Sequence, residues 1–296
     1  MPEVPSRLDA SALRWLVGHD LREARERVGH TQSTAARVLD CTHAKINYLE
    51  LGKTAQRPED VRALLRSYGS DPTDVERLAA LALRADRDTW WHEWSDVVPT
   101  WLRTFVGLEG LAASEFAYEP LLLHGLLQTR AYATALLVDS LRVGPADGDR
   151  VVDLRLARQQ RLTDEQDPLR LHAVIEECAL RRPVGGDAVM IEQLDHLLAL
   201  AGRSTVTLQV MPLSVAVHDG LDGEFALLDF LGTRSIAYIE IPNGAVYLQD
   251  HDQVEGYRSA ATRLSDSALT ESDSTDWLRR LRRELHAKGA PTNPGT

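Results

Sequence analysis

Over the first seventy positions, apolar residues recur at intervals of three and four. Leu13, Leu16, Val17, Leu21, Ala24 and Val28 trace one helical face, and Gly29 stands where a helix ends in the left-handed conformation. The pattern predicts a second helix over Gln32 to Leu39, with Thr31 as N-cap. A third is predicted over His43 to Leu51, capped by Thr42, turning Ile46 and Leu49 inward and stopping at Gly52. Pro58, at a favoured first-turn position, opens a fourth helix that buries Val61, Leu64 and Leu65, and a fifth follows Asp71-Pro72 over Thr73 to Arg84. Further helices are expected over Arg103 to Glu115, Pro120 to Leu137 and Asp149 to Leu162. After Asp167-Pro168 the period falls to two or to continuous apolar runs. Strands are expected over Leu169 to Ile175, Thr205 to Val210, Glu224 to Phe230, Ile236 to Ile241 and Ala245 to Leu248, with a helix over Ala188 to Ala201. The strand, helix, strand order at 169–210 predicts a parallel crossover, and the close succession of the last three strands predicts an antiparallel extension. Helices over Gln253 to Leu264 and Thr275 to His286 close the chain.

This order of elements is α+β and multi-domain: an all-α domain over residues 10–85, a larger domain with helices and a mixed β-sheet over 88–286, and a disordered tail over 287–296. A chain of 296 residues is long enough for two such domains. Trp90, Trp91, Trp94 and Trp101 crowd the junction with Pro99 among them, and are read as a packing anchor between the two parts rather than a stacking platform for a ligand. No apolar run reaches the ~18 residues of a membrane helix, and the N-terminus MPEVPSRLDA has neither the basic nor the apolar region of a secretory signal, so a cytoplasmic protein with no membrane partner is expected. Cys41 and Cys178 are far apart and form no metal-ligand spacing.

Charge changes the picture once it is divided along the chain. Residues 1–70 hold 11 Lys and Arg against 9 Asp and Glu, and the remainder holds 22 against 35. Contact with a polyanion therefore falls to the near-neutral N-terminal part.

The segment TQSTAARVLDCTHAKINYLELGKTAQRP, Thr31 to Pro58, has the spacing of a helix-turn-helix. Such a motif presents the N-terminal side chains of its second helix to the major groove of double-stranded DNA, which makes Thr42, His43, Ala44, Lys45, Asn47 and Tyr48 the candidate DNA-contacting residues there. Gln32, at a helix N-terminus, and Lys53, after the second helix, suit phosphates, and Arg57 suits the backbone or the minor groove. With Gln32, Ala36, Ile46, Glu50, Gly52 and Lys53 in place, the segment resembles the phage-repressor type, or XRE family. That resemblance implies that Arg25 and Glu50 form a structural ion pair fixing the first helix to the third. A module this small reads few base pairs, so a homodimer on a two-fold operator is expected.

Beyond it, Glu119-Pro120, GLLQTRAYA at 125–133, LRLARQ at 154–159, EECALRRPVGG at 176–186, Gln193-Leu194, Gln209 to Pro212 and Tyr238 to Glu240 resemble the C-terminal domain of actinobacterial WhiJ-like, antitoxin-like regulators. His124 and Glu224 depart from that pattern, standing where proline and a small or proline residue are usual. The resemblance implies a repressor, nucleoid-associated, controlled by a small partner protein encoded nearby. Glu176, His218 and Glu240 are the polar residues beside strands that suit a regulatory pocket. A domain that senses a small molecule is the alternative. An enzyme with a DNA-targeting module is a third reading, which no nucleophile, metal-spaced histidine or phosphate-loop motif accompanies, so no catalytic residue, cofactor or metal is expected.

Overall fold

The computed structural model describes residues 9–85, 89–138, 140, 143–230, 235–242 and 244–289. It divides into two compact units, Met1–Leu111 and Ala112–Thr296.

The first unit is helical: α1 (Ala10–Arg27), α2 (Gln32–Val38), α3 (His43–Glu50), α4 (Pro58–Ser67), α5 (Pro72–Arg84) and α6 (Thr100–Leu111). Side-chain oxygens start these helices where the sequence places them: Asp9 accepts from Ala12 N, Thr31 from Thr34 N, Thr42 from Lys45 N and Asp71 from Thr73 N. Val17, Leu21, Ala35, Ile46, Leu49, Val61, Leu64 and Val75 form one core among α1 to α5. The tryptophan segment and α6 belong to this unit. Trp91 Nε1 donates to Asp9 Oδ2 at the start of α1, and a Cβ at Gly107 would meet Asp9 Cγ at 2.7 Å.

One close crossing sets the placement of α3. A Cβ at Gly18 in α1 would lie 2.6 Å from the Leu49 carbonyl oxygen and 2.7 Å from that of Glu50. Backbone atoms cannot yield as a flexible side chain does, so α1 and α3 approach this closely only through glycine. Gly18→Ala is expected to cost about 1–3 kcal/mol by overpacking and to lower the melting temperature in calorimetry. An unchanged transition would show that the helices separate at no cost.

The second unit is built on a six-stranded sheet: β1 (Ser114–Glu119), β2 (Arg170–Glu176), β3 (Val206–Met211), β4 (Phe225–Asp229), β5 (Ile236–Ile241) and β6 (Gly244–Leu248), in the order β3-β2-β1-β4-β5-β6. The parallel crossover from β2 to β3 and the antiparallel run β4, β5, β6 match the sequence expectation. The helices are α7 (Arg130–Leu137), α8 (Gly148–Gln159), α9 (Glu177–Arg181), α10 (Asp187–Leu200), α11 (His251–Ser267) and α12 (Glu271–Gly289). Ala287 to Gly289, assigned to the expected tail, are the last residues of α12, and 290–296 lie outside the described residues.

Two expectations are corrected. The helix expected over Arg103 to Glu115 ends at Leu111, and the next residues form β1, the central strand, paired in parallel with β2 and antiparallel with β4. Its sequence SEFAYE carries glutamates at 115 and 119, which a strand buried on both faces ordinarily lacks. The helix expected from Pro120 begins only at Arg130; a single 3-10 turn at Gly125–Leu127 interrupts a loop before it. Glutamine side chains satisfy that loop. Gln128 Nε2 donates to Leu123 O (2.7 Å), Gln159 Nε2 to Gly125 O (3.0 Å) and Gln128 O (2.6 Å), and Gln193 Nε2 to Leu127 O (2.6 Å) while its Oε1 accepts from Thr129 N (2.7 Å).

Strand register sorts the sheet into two faces. Tyr118, Val174, Met211, Phe225, Leu227 and Ala237 pack with Val254, Ala261 and Leu264 of α11 on one face. The other carries Glu115, Ala117 and Glu119 of β1, Ala226 of β4, and Tyr238 and Glu240 of β5.

Candidate functional site

In the first unit, Ile46 and Leu49 bury the inner face of α3. His43, Ala44, Lys45 and Tyr48 are left exposed with Thr42 just before them, and Asn47 is half-buried. Lys45 Nζ reaches Asp60 Oδ2 at 3.4 Å in a solvated pair, an interaction worth about 0–1 kcal/mol and easily surrendered. Lys53 lies 6.0 Å from the centroid of the Tyr48 ring, a cation–π distance. Arg57, at the N-cap of α4, is exposed and makes no side-chain capping bond.

Beneath this face lies a buried charge network. Arg25 Nε donates to Glu50 Oε1 at 2.5 Å and Nη2 to Oε2 at 3.0 Å, with side chains only 8% and 3% exposed. Arg25 Nη1 also donates to His30 O at 2.7 Å, which ties the end of α1 to the turn before α2. Gln32 turns inward, its Nε2 donating to Glu50 Oε2 at 2.9 Å, so its side chain supports the ion pair in this structure. Burial, then the Glu50 charge, push the Tyr68 phenol up to about 12. Sequence reasoning missed Gln56, whose buried Nε2 donates to Arg14 O (2.8 Å) and Leu49 O (2.7 Å), joining α1 to α3. Its signal was slight, a lone glutamine in a turn.

In the second unit, the three polar residues expected to share a pocket are divided between the two faces of the sheet. Glu176 and His218 meet: His218 Nε2 lies 3.3 Å from Glu176 Oε1, to which Tyr118 Oη donates at 2.8 Å. His218 Nδ1 accepts from Gly220 N at 3.3 Å, so Nε2 is the nitrogen that donates to Glu176. Asp219 turns away to pair with Arg263 of α11 at 2.8 Å. The group fastens the loop between β3 and β4 over Tyr118, against which Gly220 lies too close for any side chain.

Glu240 belongs to the opposite face, together with Glu119 of β1, another of the residues carrying the resemblance. Continued by one position, the register β1–β4 places Glu224 opposite Glu119, and the β4–β5 register places Glu224 opposite Glu240, a row of three carboxylates. Burial pushes Glu119 up to about 8; the charges of Glu224, Glu115 and Glu240 push the same way, and His124 opposes them. Burial and Glu240 raise Glu224 as well, again against His124. The two departures from the resembled pattern, His124 and Glu224, thus act on one site. His124 Nε2 sits 3.3 Å from the buried Glu115 Oε1. Arg155 of α8 is lowered to about 10 by burial and the neighbouring Arg158.

Because the native state holds the Glu119 proton that an unfolded chain releases near 4.5, this group's stabilising contribution is full below about 4.5 and is lost as pH rises through about 8. Glu119→Gln, which keeps the neutral form, is expected to gain melting temperature over the parent chain between pH 5 and 9, as read by scanning calorimetry. Parallel pH profiles for the two proteins would contradict the shift.

Residues 16–78 match the model of a helix-turn-helix domain, and residues 102–280 match a domain of unknown function, DUF5753. The second match spans more than half of the chain. The chain belongs to the DUF5753 family. Its helix-turn-helix domain points to a DNA-binding regulator, and the DUF5753 domain contains both polar groups of the second unit. No curated protein and no solved structure matched the chain. No helix among the described residues is long and apolar enough to cross a membrane.

Proposed function

We propose that the chain is a sequence-specific DNA-binding transcriptional regulator of the XRE type, acting as a repressor by binding rather than catalysis. The observation that carries this reading is the exposed face of α3, with His43, Ala44, Lys45 and Tyr48 outward, Thr42 just before them and Asn47 half-buried at their edge, over the buried Arg25–Glu50 pair. Lys53 and Arg57 border that face and take phosphates; Gln32 is assigned to the same border, although its amide is engaged with Glu50. The DNA-binding domain is assigned to 10–85 and the regulatory domain to 88–286. The acidic second part repels a polyanion, so DNA meets the first.

The chain functions as a homodimer on a two-fold operator, in the cytoplasm and on the nucleoid. By its WhiJ-like, antitoxin-like resemblance, it is released from DNA by a small partner protein encoded nearby. A second reading, small-molecule control, is favoured by the carboxylate row and Arg155 in the DUF5753 domain. Selection of binding sites from random DNA with the full chain, followed by footprinting and sedimentation, tests the proposal. A two-fold footprint bound by a dimer is expected. No enrichment above random DNA would overturn the DNA-binding reading, and a monomer on an asymmetric site would overturn the dimer.

A further inference from the structure

The sheet ends in two edge strands, β3 and β6, and among the described residues only β3 is covered. There, Leu269 N donates to Val210 O (2.9 Å) and Ser274 Oγ accepts from Val210 N (2.9 Å), so the segment joining α11 to α12 takes up outward backbone groups. At β6, no hydrogen bond among the described residues joins the backbone of Gly244, Ala245, Val246 or Leu248 to any element other than β5. Alternate residues of an edge strand direct N–H and C=O groups outward, a template for another strand. The usual protections are missing. The strand GAVYL has no charge and no proline, and its register with β5 runs from Ile241 opposite Gly244 to Ala237 opposite Leu248 without a bulge.

The face beside this edge adds a second observation. Ala237, Ile239 and Leu248 pack into the core under α11. Val246, opposite Ile239 on the same face, is 41% exposed, and Ile241 is 46% exposed. Apolar side chains and outward backbone groups therefore coincide at one margin of the sheet.

We infer that β6 pairs antiparallel with β6 of a second copy of this chain, across a two-fold axis at Val246. The occupant follows from the strand itself. Two identical strands set antiparallel about a two-fold axis match each other, which is the isologous form of a dimer interface. Full overlap of Gly244–Leu248 sets Val246 beside Val246 and each small residue beside a large one, Ala245 by Tyr247 and Gly244 by Leu248. Gly244, with no side chain, leaves Leu248 of the second copy room beside the exposed Ile241. A charged partner would find no charge in this strand to answer it. Beyond residue 70 the chain holds 22 Lys and Arg against 35 Asp and Glu, so two copies repel, and an uncharged edge is where they approach at least cost. The inference rests on the homodimer reading above and names the surface through which that dimer forms.

The test follows the full chain by sedimentation over a concentration series. A parent dimer is expected. Val246→Asp and Val246→Lys, at an exposed position, are each expected to raise its dissociation constant by about tenfold or more, since each sets like charges directly opposite one another. Mixing the two variants is expected to restore a dimer, because opposite charges then meet across the axis. A parent chain that stays monomeric would overturn both the homodimer and this interface. A parent dimer whose affinity survives in both variants would overturn the β6 pairing alone and move the homodimer to another surface. Folded variants that dissociate singly and do not recover on mixing would overturn the two-fold pairing at Val246. Hydrogen exchange of the unaltered chain, above and below its dimer dissociation constant, needs no variant. Protection at Gly244–Leu248 is expected in the dimer, and equal exchange there in both states would overturn the interface even where the variants misfold.

Discussion

Glu50→Ala is expected to destabilise the helix-turn-helix domain by about 3–5 kcal/mol, the range for breaking a buried ion pair by removing one partner. The cost arises from what remains. Arg25, whose charged form is favoured chiefly by its hydrogen bond to Glu50, would stay buried with its exposed-side partner Glu26 at 3.2 Å and the His30 carbonyl at 2.7 Å. Gln32 would lose its acceptor at 2.9 Å as well. Denaturant titration of the parent and variant chains reads the loss directly. Replacing both ends, as Arg25→Met with Glu50→Ala, is expected to recover part of it, because no unpaired charge is then left inside. An unchanged transition together with lost operator binding would instead assign Glu50 to the DNA.

The second large effect lies on the exposed face of α3. His43→Ala and Tyr48→Ala are expected to reduce discrimination between operator and random DNA by about 1–3 kcal/mol for each base contact removed, while non-specific affinity stays nearly constant. Lys53→Ala is expected to weaken both kinds of DNA alike and to lower the slope of log affinity against log salt by about one unit per protomer. The 6.0 Å approach of Lys53 to the Tyr48 ring couples the two positions, so Tyr48→Phe, which keeps the ring, serves as the control. Fluorescence anisotropy over a salt series separates the outcomes. A Lys53→Ala chain that changed only its sequence preference would move Lys53 from phosphate to base.

What the sequence by itself determined is local. Thr31, Thr42, Pro58 and Asp71 start helices with their own side chains or ring, and Gly29 and Gly52 take φ of +68° and +65°, so those boundaries are written in residues within one turn. The strands β2 to β6 were legible for the same reason, since their apolar runs need no distant partner to be seen. The central strand was not. Glu115 and Glu119 read as polar positions continuing a helix, and only pairing with β2 and β4 on either side makes Ser114–Glu119 a strand. Likewise, Pro120 promised a helix, and glutamines from α8 and α10 made the segment a loop by satisfying its carbonyls from 31 to 66 positions away in the chain. Glu176, His218 and Glu240 were visible as polar residues beside strands, but which face each one takes depends on register. A shift of one residue reverses every side chain, and register is decided by pairing across the sheet. The meeting of Glu119, Glu224, Glu240 and Arg155 from four elements is therefore a property of the tertiary structure alone, because the charges that alter one another there are neighbours only after β1, β4, β5 and α8 have packed.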